Sequence, residues 1–146
     1  MSFRNHRAAL PALLLCAALA GCAGTGTGYH ERTVLGELFL FRQGGYEVEQ
    51  LGPEDYRVVY EAGMSNPEAR SRKFVLYRCA TLALEKGARG FRLDQPVDLV
   101  KAPMPMHKLL YGARVRLLAD PQPDGRLVFD AAQVVQELDP FIAQFR

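Results

Sequence analysis

Apolar residues fall in two rhythms along this chain. Tyr56, Val58, Tyr60 and Ala62 alternate with Arg57, Val59 and Glu61, the period of two that turns one side of a strand inward and the other to water. Tyr46 to Leu51 precedes this segment across Gly52-Pro53-Glu54-Asp55, a turn by composition. The two segments together predict a β-hairpin. Gly44-Gly45 breaks the chain ahead of it. Val34 to Phe41, an apolar run containing Gly36 and Glu37, fits an edge strand or a short helix equally.

The second rhythm is helical. Ser65-Asn66-Pro67-Glu68 carries redundant start signals: Ser65 or Asn66 as cap, Pro67 for the first turn, and Glu68 at the capping-box position after Ser65. A helix is predicted from there to about Lys86, stopped by Gly87, and about 30 Å long. From Phe74 to Leu84 it is apolar on most of its circumference. Its polar stripe is narrow, with Ser71, Arg78 and Glu85 at successive heptad spacings. A surface helix shows more polar area than this. It should therefore be covered on two sides, by its sheet and either by the C-terminal segment or by a partner or the membrane surface. Arg78 is expected to pair with Glu85 two turns on or with a neighbouring carboxylate, or else to mark a partner site, and Arg78 and Glu85 are the candidate interaction residues.

Further along, Phe91-Arg92-Leu93 predicts a short strand and 96–108 an irregular stretch rich in proline. In Leu109 to Ala119, Tyr111, Ala113, Val115 and Leu117 alternate with Gly112, Arg114, Arg116 and Leu118, a strand whose exposed arginines read as a solvated face. The turn Asp120 to Gly125 predicts a second hairpin, returning through Arg126 to Phe129. Asp130 should cap a final helix with Gln133 at the box position and Val134, Val135 and Leu138 inward. Asp139-Pro140 should end it, before a turn carrying Phe141, Ile142 and Phe145. Hairpin, helix, strand, hairpin, helix implies an α/β (α+β) fold: a two-layer sandwich with a mainly antiparallel sheet, the long helix and a C-terminal helix on one face. The expected division is a segment 1–21, a tether 22–30 and a single globular domain 31–146.

The segment 1–21 has a different character. Arg4 and Arg7 precede an apolar run from Ala8 to Ala20, and no acidic residue occurs before Glu31. As a helix that run would be about 20 Å long, short of the roughly 30 Å hydrocarbon core of a bilayer. A basic head before a short apolar core is the layout of a signal peptide. It ends in Leu19-Ala20-Gly21-Cys22, which looks like the lipobox of bacterial lipoproteins. Small residues let the extended chain lie in a protease groove, so cleavage is expected between Gly21 and Cys22. The Cys22 thiol is the group that accepts the diacylglyceryl chain. Ala23-Gly24-Thr25-Gly26-Thr27-Gly28 then reads as a flexible tether. Ala23 stands where retention in the inner membrane favours Asp in enterobacteria-like systems. The expected address is the outer membrane, periplasmic side, with the membrane held as partner through the lipid anchor.

Charge and cysteine usage narrow the functional classes. Without Arg4 and Arg7, the 18 Lys and Arg fall level with the 16 Asp and Glu, so the basic excess of a nucleic-acid binder is missing. Of the 3 cysteines, Cys16 leaves with the signal and Cys22 is acylated. Cys79 is then alone inside an apolar helix, where a thiol behaves as a small hydrophobe.

Several stretches together carry a family likeness. They are Gly44-Gly45-Tyr46-Glu47, Tyr56-Arg57-Val58, Leu76-Tyr77-Arg78-Cys79-Ala80 through Leu84-Glu85-Lys86-Gly87, Phe91-Arg92-Leu93 and Asp130-Ala131-Ala132-Gln133-Val134-Val135. This set is similar to a family of small proteobacterial envelope lipoproteins loosely associated with the sigma-E stress system. The likeness covers about residues 44–93 and 126–140. It implies an envelope lipoprotein and supplies no catalytic signature.

Catalytic motifs are sparse. The chain has no Gly-x-Ser-x-Gly elbow, no P-loop, and no paired Cys or His at zinc spacing. The expectation is a protein that is not an enzyme and needs no cofactor, with a structural or interaction role in envelope maintenance or stress response. An envelope protein is its expected partner, and nucleic acid is not. The alternative is a small periplasmic copper binder using Met104, Met106 and His107, since thioether and imidazole ligands suit Cu(I).

Overall fold

The strand predicted at residues 56–62 forms with one side in the core: Tyr56, Val58, Tyr60 and Ala62 are buried, while Arg57 is exposed. A computed structural model of the chain describes residues 28–31, 44–63, 66–100, 109–122 and 127–146. In chain order the elements are β1 (Gly45–Gln50), β2 (Asp55–Ala62), α1 (Glu68–Glu85), β3 (Gly90–Leu93), β4 (Asp98–Val100), β5 (Leu109–Leu118), β6 (Val128–Asp130) and α2 (Ala131–Ile142). A 3₁₀ turn, Ala143–Phe145, follows. This is an α+β fold on a six-stranded antiparallel sheet in the order β1-β2-β5-β3-β6, with β4 also on β5.

The hairpin β1–β2 closes where the amides of Leu51 and Gly52 both donate to the Asp55 carbonyl. β2 lies against β5, pairing Tyr56 with Val115, Val58 with Ala113 and Tyr60 with Tyr111. These alternate residues, with Phe91 and Leu93 of β3, make the sheet side of the core. α1 supplies Phe74, Val75, Tyr77, Cys79, Ala80, Leu82 and Ala83. Tyr60 meets Phe74 edge to face at 5.0 Å between centroids. α2 packs against α1 through Val134 and Ile142, both buried. The C-terminal segment is thus the second cover that the narrow polar stripe of α1 calls for.

Both ends of α1 can be explained residue by residue, and one departs from expectation. At its C-terminus Gly87 adopts φ +76°, the left-handed conformation glycine enters without a Cβ clash. The Ala88 amide then donates to Ala83 O at 2.9 Å and the Gly87 amide to Leu84 O at 3.0 Å, which is the Schellman stop. At its N-terminus Asn66, one of the two expected caps, does not cap. Pro67 occupies the cap position with no side-chain cap hydrogen bond. Asn66 turns inward and donates through Nδ2 to the Tyr60 hydroxyl at 3.1 Å. Ser65 lies outside the described residues. Ser71, expected on the polar stripe, is fully buried and donates its hydroxyl to Pro67 O.

Three further expectations are corrected. The second hairpin does not form between β5 and β6, because β6 pairs with β3, matching Phe91 to Phe129 and Gly90 to Asp130. The β5 edge that such a hairpin would need is occupied by β3, with Leu117 opposite Phe91. Within the stretch expected to be irregular, Asp98–Val100 is a strand on the other half of that same β5 edge, Leu99 opposite Tyr111. Finally, Asp139-Pro140 does not end α2, which carries Pro140 inside it and runs to Ile142. The lost amide is offset by burial, since Ile142 is fully enclosed and Phe141 packs against Phe74 at 6.3 Å. The N-cap of α2 is as expected: Asp130 accepts from the Gln133 amide at 2.9 Å.

Candidate functional site

Arg78 sits in mid-helix on α1 with a side chain only 12% exposed, and the two-turn spacing to Glu85 brings the pair together. Its guanidinium forks onto the carboxylate, Nη1 to Oε1 at 2.6 Å and Nη2 to Oε2 at 3.0 Å. Nη1 also donates to Thr81 Oγ1 at 3.0 Å. The guanidinium plane lies over the Tyr46 ring, 4.9 Å from its centroid. Arg78 Nε is buried and has no hydrogen-bond partner. Burial opposes the charge on Arg78, but the hydrogen-bonded carboxylate of Glu85 outweighs it and holds the group above its ordinary range. The arrangement is a stacked, bidentate ion pair that presents mainly its half-exposed Glu85 to the surroundings.

Under this pair lies a feature that composition alone conceals. Residues 28–30, expected to belong to the tether, are part of the domain. The Tyr29 amide donates to Phe145 O at 3.0 Å, the Tyr46 amide donates to His30 O at 2.8 Å, and Glu31 forms a parallel bridge with Tyr46. The Tyr29 ring is held among Tyr46, Phe74 and Tyr77, at 5.1, 5.6 and 5.3 Å between centroids. Burial raises its hydroxyl pKa, against a hydrogen bond with Thr81 and the nearby charge of Arg78. The signal in the sequence is Tyr29 itself, a large aromatic directly after a glycine-threonine run. An unanchored linker has no use for such a side chain.

Tyr77 joins α1 to the last residues by a second cluster. Its hydroxyl donates to Asp139 Oδ1 at 2.7 Å, and Arg146 donates both to that hydroxyl at 2.7 Å and to Asp139 at 2.9 Å. Burial of Tyr77 and its bond to Asp139 raise its pKa despite Arg146. Cys79 is fully buried, and burial pushes its thiol up to about 12.

Among the described residues, no group of three or more His, Cys, Asp and Glu side chains could hold a metal ion. No described helix is long and apolar enough to cross a membrane. Clefts among the described residues include two of moderate size. One, of about 420 Å³, lies between β6 and the start of α2; the other, of about 240 Å³, lies beside Arg114, Arg116 and Asp94. Gly21 and Cys22, and the Met104, Met106 and His107 set, lie outside the described residues. Comparison with protein-family models, curated proteins and solved structures finds no match for this chain.

Proposed function

We propose that this chain is a membrane-anchored envelope lipoprotein, acylated at Cys22, with a non-enzymatic structural or interaction role in envelope maintenance or stress response. The observation that carries the reading is the run Leu19-Ala20-Gly21-Cys22 directly after a basic head and a short apolar core. Its acyl chains supply the membrane affinity, since stable anchoring takes more than one lipid chain. The folded part acts through surfaces rather than through a reaction, and an envelope protein contacting the Arg78–Glu85 region is the partner proposed. Growing cells with a clickable palmitate tests the acylation. Label is expected on the wild-type chain and lost in Cys22→Ser. Label retained by Cys22→Ser, or absent from the wild type, overturns the reading.

A further inference from the structure

Beside the point where the chain enters the domain, the structure gathers cations and aromatic rings. The backbone of Gly28 lies against Phe145, close enough that a Cβ there would sit 2.7 Å from Phe145 O. Its carbonyl accepts from the Tyr60 hydroxyl, which in turn accepts from Asn66 at the start of α1. Over these same rings stand two cations of α1. The Arg70 guanidinium carbon is 4.4 Å from the Phe145 centroid, and Lys73 Nζ is 4.4 Å from that of Phe141. Phe141 and Phe145 are themselves in contact at 5.1 Å and only partly buried. The neighbouring carboxylates are already engaged, Glu68 by Arg72 and Asp139 by Arg146. Neither Arg70 nor Lys73 has a carboxylate partner among the described residues.

We infer that this patch, Arg70 and Lys73 over Phe141 and Phe145, is the face with which the domain rests on the anionic phosphate surface of its membrane. The inference rests on the proposed acylation of Cys22. Cys22 is six positions before Gly28, and at about 3.3–3.6 Å per residue that stretch spans at most about 22 Å. The docked Tyr29 prevents residues 28–31 from lengthening it. Whatever surface surrounds Gly28 is therefore held within a tether's reach of the bilayer. Here that surface carries uncompensated positive charge and aromatic rings, the two features that suit a headgroup layer. The turn at Glu54 marks the far end of the same hairpin. Tyr60, whose hydroxyl meets Gly28, is six positions along β2 from Glu54, and at about 3.3 Å per residue that is roughly 20 Å.

The test uses the acylated protein purified from membranes and placed in phosphatidylcholine vesicles with or without phosphatidylglycerol. Gln144→Cys puts a dye beside the patch and Glu54→Cys puts one at the far end, Cys79 being buried. A lipid carrying a headgroup nitroxide should quench the dye at 144 severalfold more than the dye at 54. That difference should grow with phosphatidylglycerol, shrink in high salt, and vanish in Arg70→Glu/Lys73→Glu whose circular dichroism matches wild type. Equal quenching at both positions, or a difference indifferent to the double substitution, overturns the inference. The mass of the purified chain reads the acylation separately: a protein without acyl mass on Cys22 fails the lipoprotein reading, whereas an acylated protein with equal quenching fails only this one.

Discussion

The ring of Tyr29 meets that of Tyr77 edge to face, 5.3 Å apart between centroids with the planes at 87°. This contact ties the first described residues to the middle of α1, so the segment 28–31 packs against the core. Tyr29→Ala removes a ring packed on three others and should destabilise the fold by about 2–4 kcal/mol, somewhat below the cost for a fully enclosed aromatic. Tyr29→Phe keeps the packing and should lose only about 1 kcal/mol with the hydroxyl. Urea unfolding of the two variants decides it, and equal, negligible losses would mean that residues 28–31 do not hold to the domain.

Breaking the Arg78–Glu85 pair from its carboxylate side leaves a cation that is nearly enclosed. The pair is intermediate between a surface bridge, which contributes little, and a buried one, whose rupture is severe. Glu85→Ala should therefore cost about 1–2 kcal/mol. Arg78→Met, which removes the charge that needed Glu85 and keeps an apolar stem over Tyr46, should cost less. A double-mutant cycle on the two positions measures the coupling directly.

Gly90 is fixed by close approach. A Cβ at this position would run into the carbonyl of Phe129 and lie 2.5 Å from the ring of Pro121. Gly90→Ala should force β3 and β6 apart and cost about 1–3 kcal/mol. The loss should localise in hydrogen exchange to β6 and the start of α2, leaving the β1–β2 hairpin protected.

Cys79 should resist a thiol reagent in native buffer and react fully in denaturant. Cys79→Ala should cost about 1–2 kcal/mol, and Cys79→Asp far more, because its carboxylate would be buried without a partner. The same burial predicts alkaline sensitivity. Burial raises the folded pKa of Cys79 to about 12 and that of Tyr60 to about 12. Above about pH 8.5 the unfolded thiol sheds its proton first. The unfolded chain then binds fewer protons than the folded one, so stability is full below that pH and declines as pH rises towards 12. Urea midpoints should fall from neutral pH to about pH 10, less steeply in Cys79→Ala. A midpoint that rises over this range would contradict the burial of these groups.

Much of this fold is legible in short-range pattern. The alternation of Tyr56 to Tyr60, the stop at Gly87 and the Asp130 cap each depend on neighbours within a few residues, and each forms as expected; the alternation fails at Glu61, which is buried although its place in the pattern faces it outward. The spacing of Arg78 and Glu85 gave their pairing for the same reason. What escaped depends on distant partners. Nothing local says that β6 would choose β3 over β5, or that Asn66 would turn to Tyr60 rather than cap α1. Pro140 predicts a stop because its ring removes an amide, yet the burial of Ile142 carries the helix through. Tyr29 shows the same limit, since a tether and a docked segment share a glycine-rich approach. What distinguishes them is distant in sequence: the rings of Tyr46, Phe74 and Tyr77 and the Phe145 carbonyl.

The proposed acylation of Cys22 is tested most directly by the intact mass of the chain extracted from membranes. The wild-type chain should begin at Cys22 and carry the added mass of a diacylglyceryl group and an amide-linked acyl chain, while Cys22→Ser should keep residues 1–21 and carry no lipid. A wild-type chain that retains its first 21 residues, or begins elsewhere without lipid, would contradict the account.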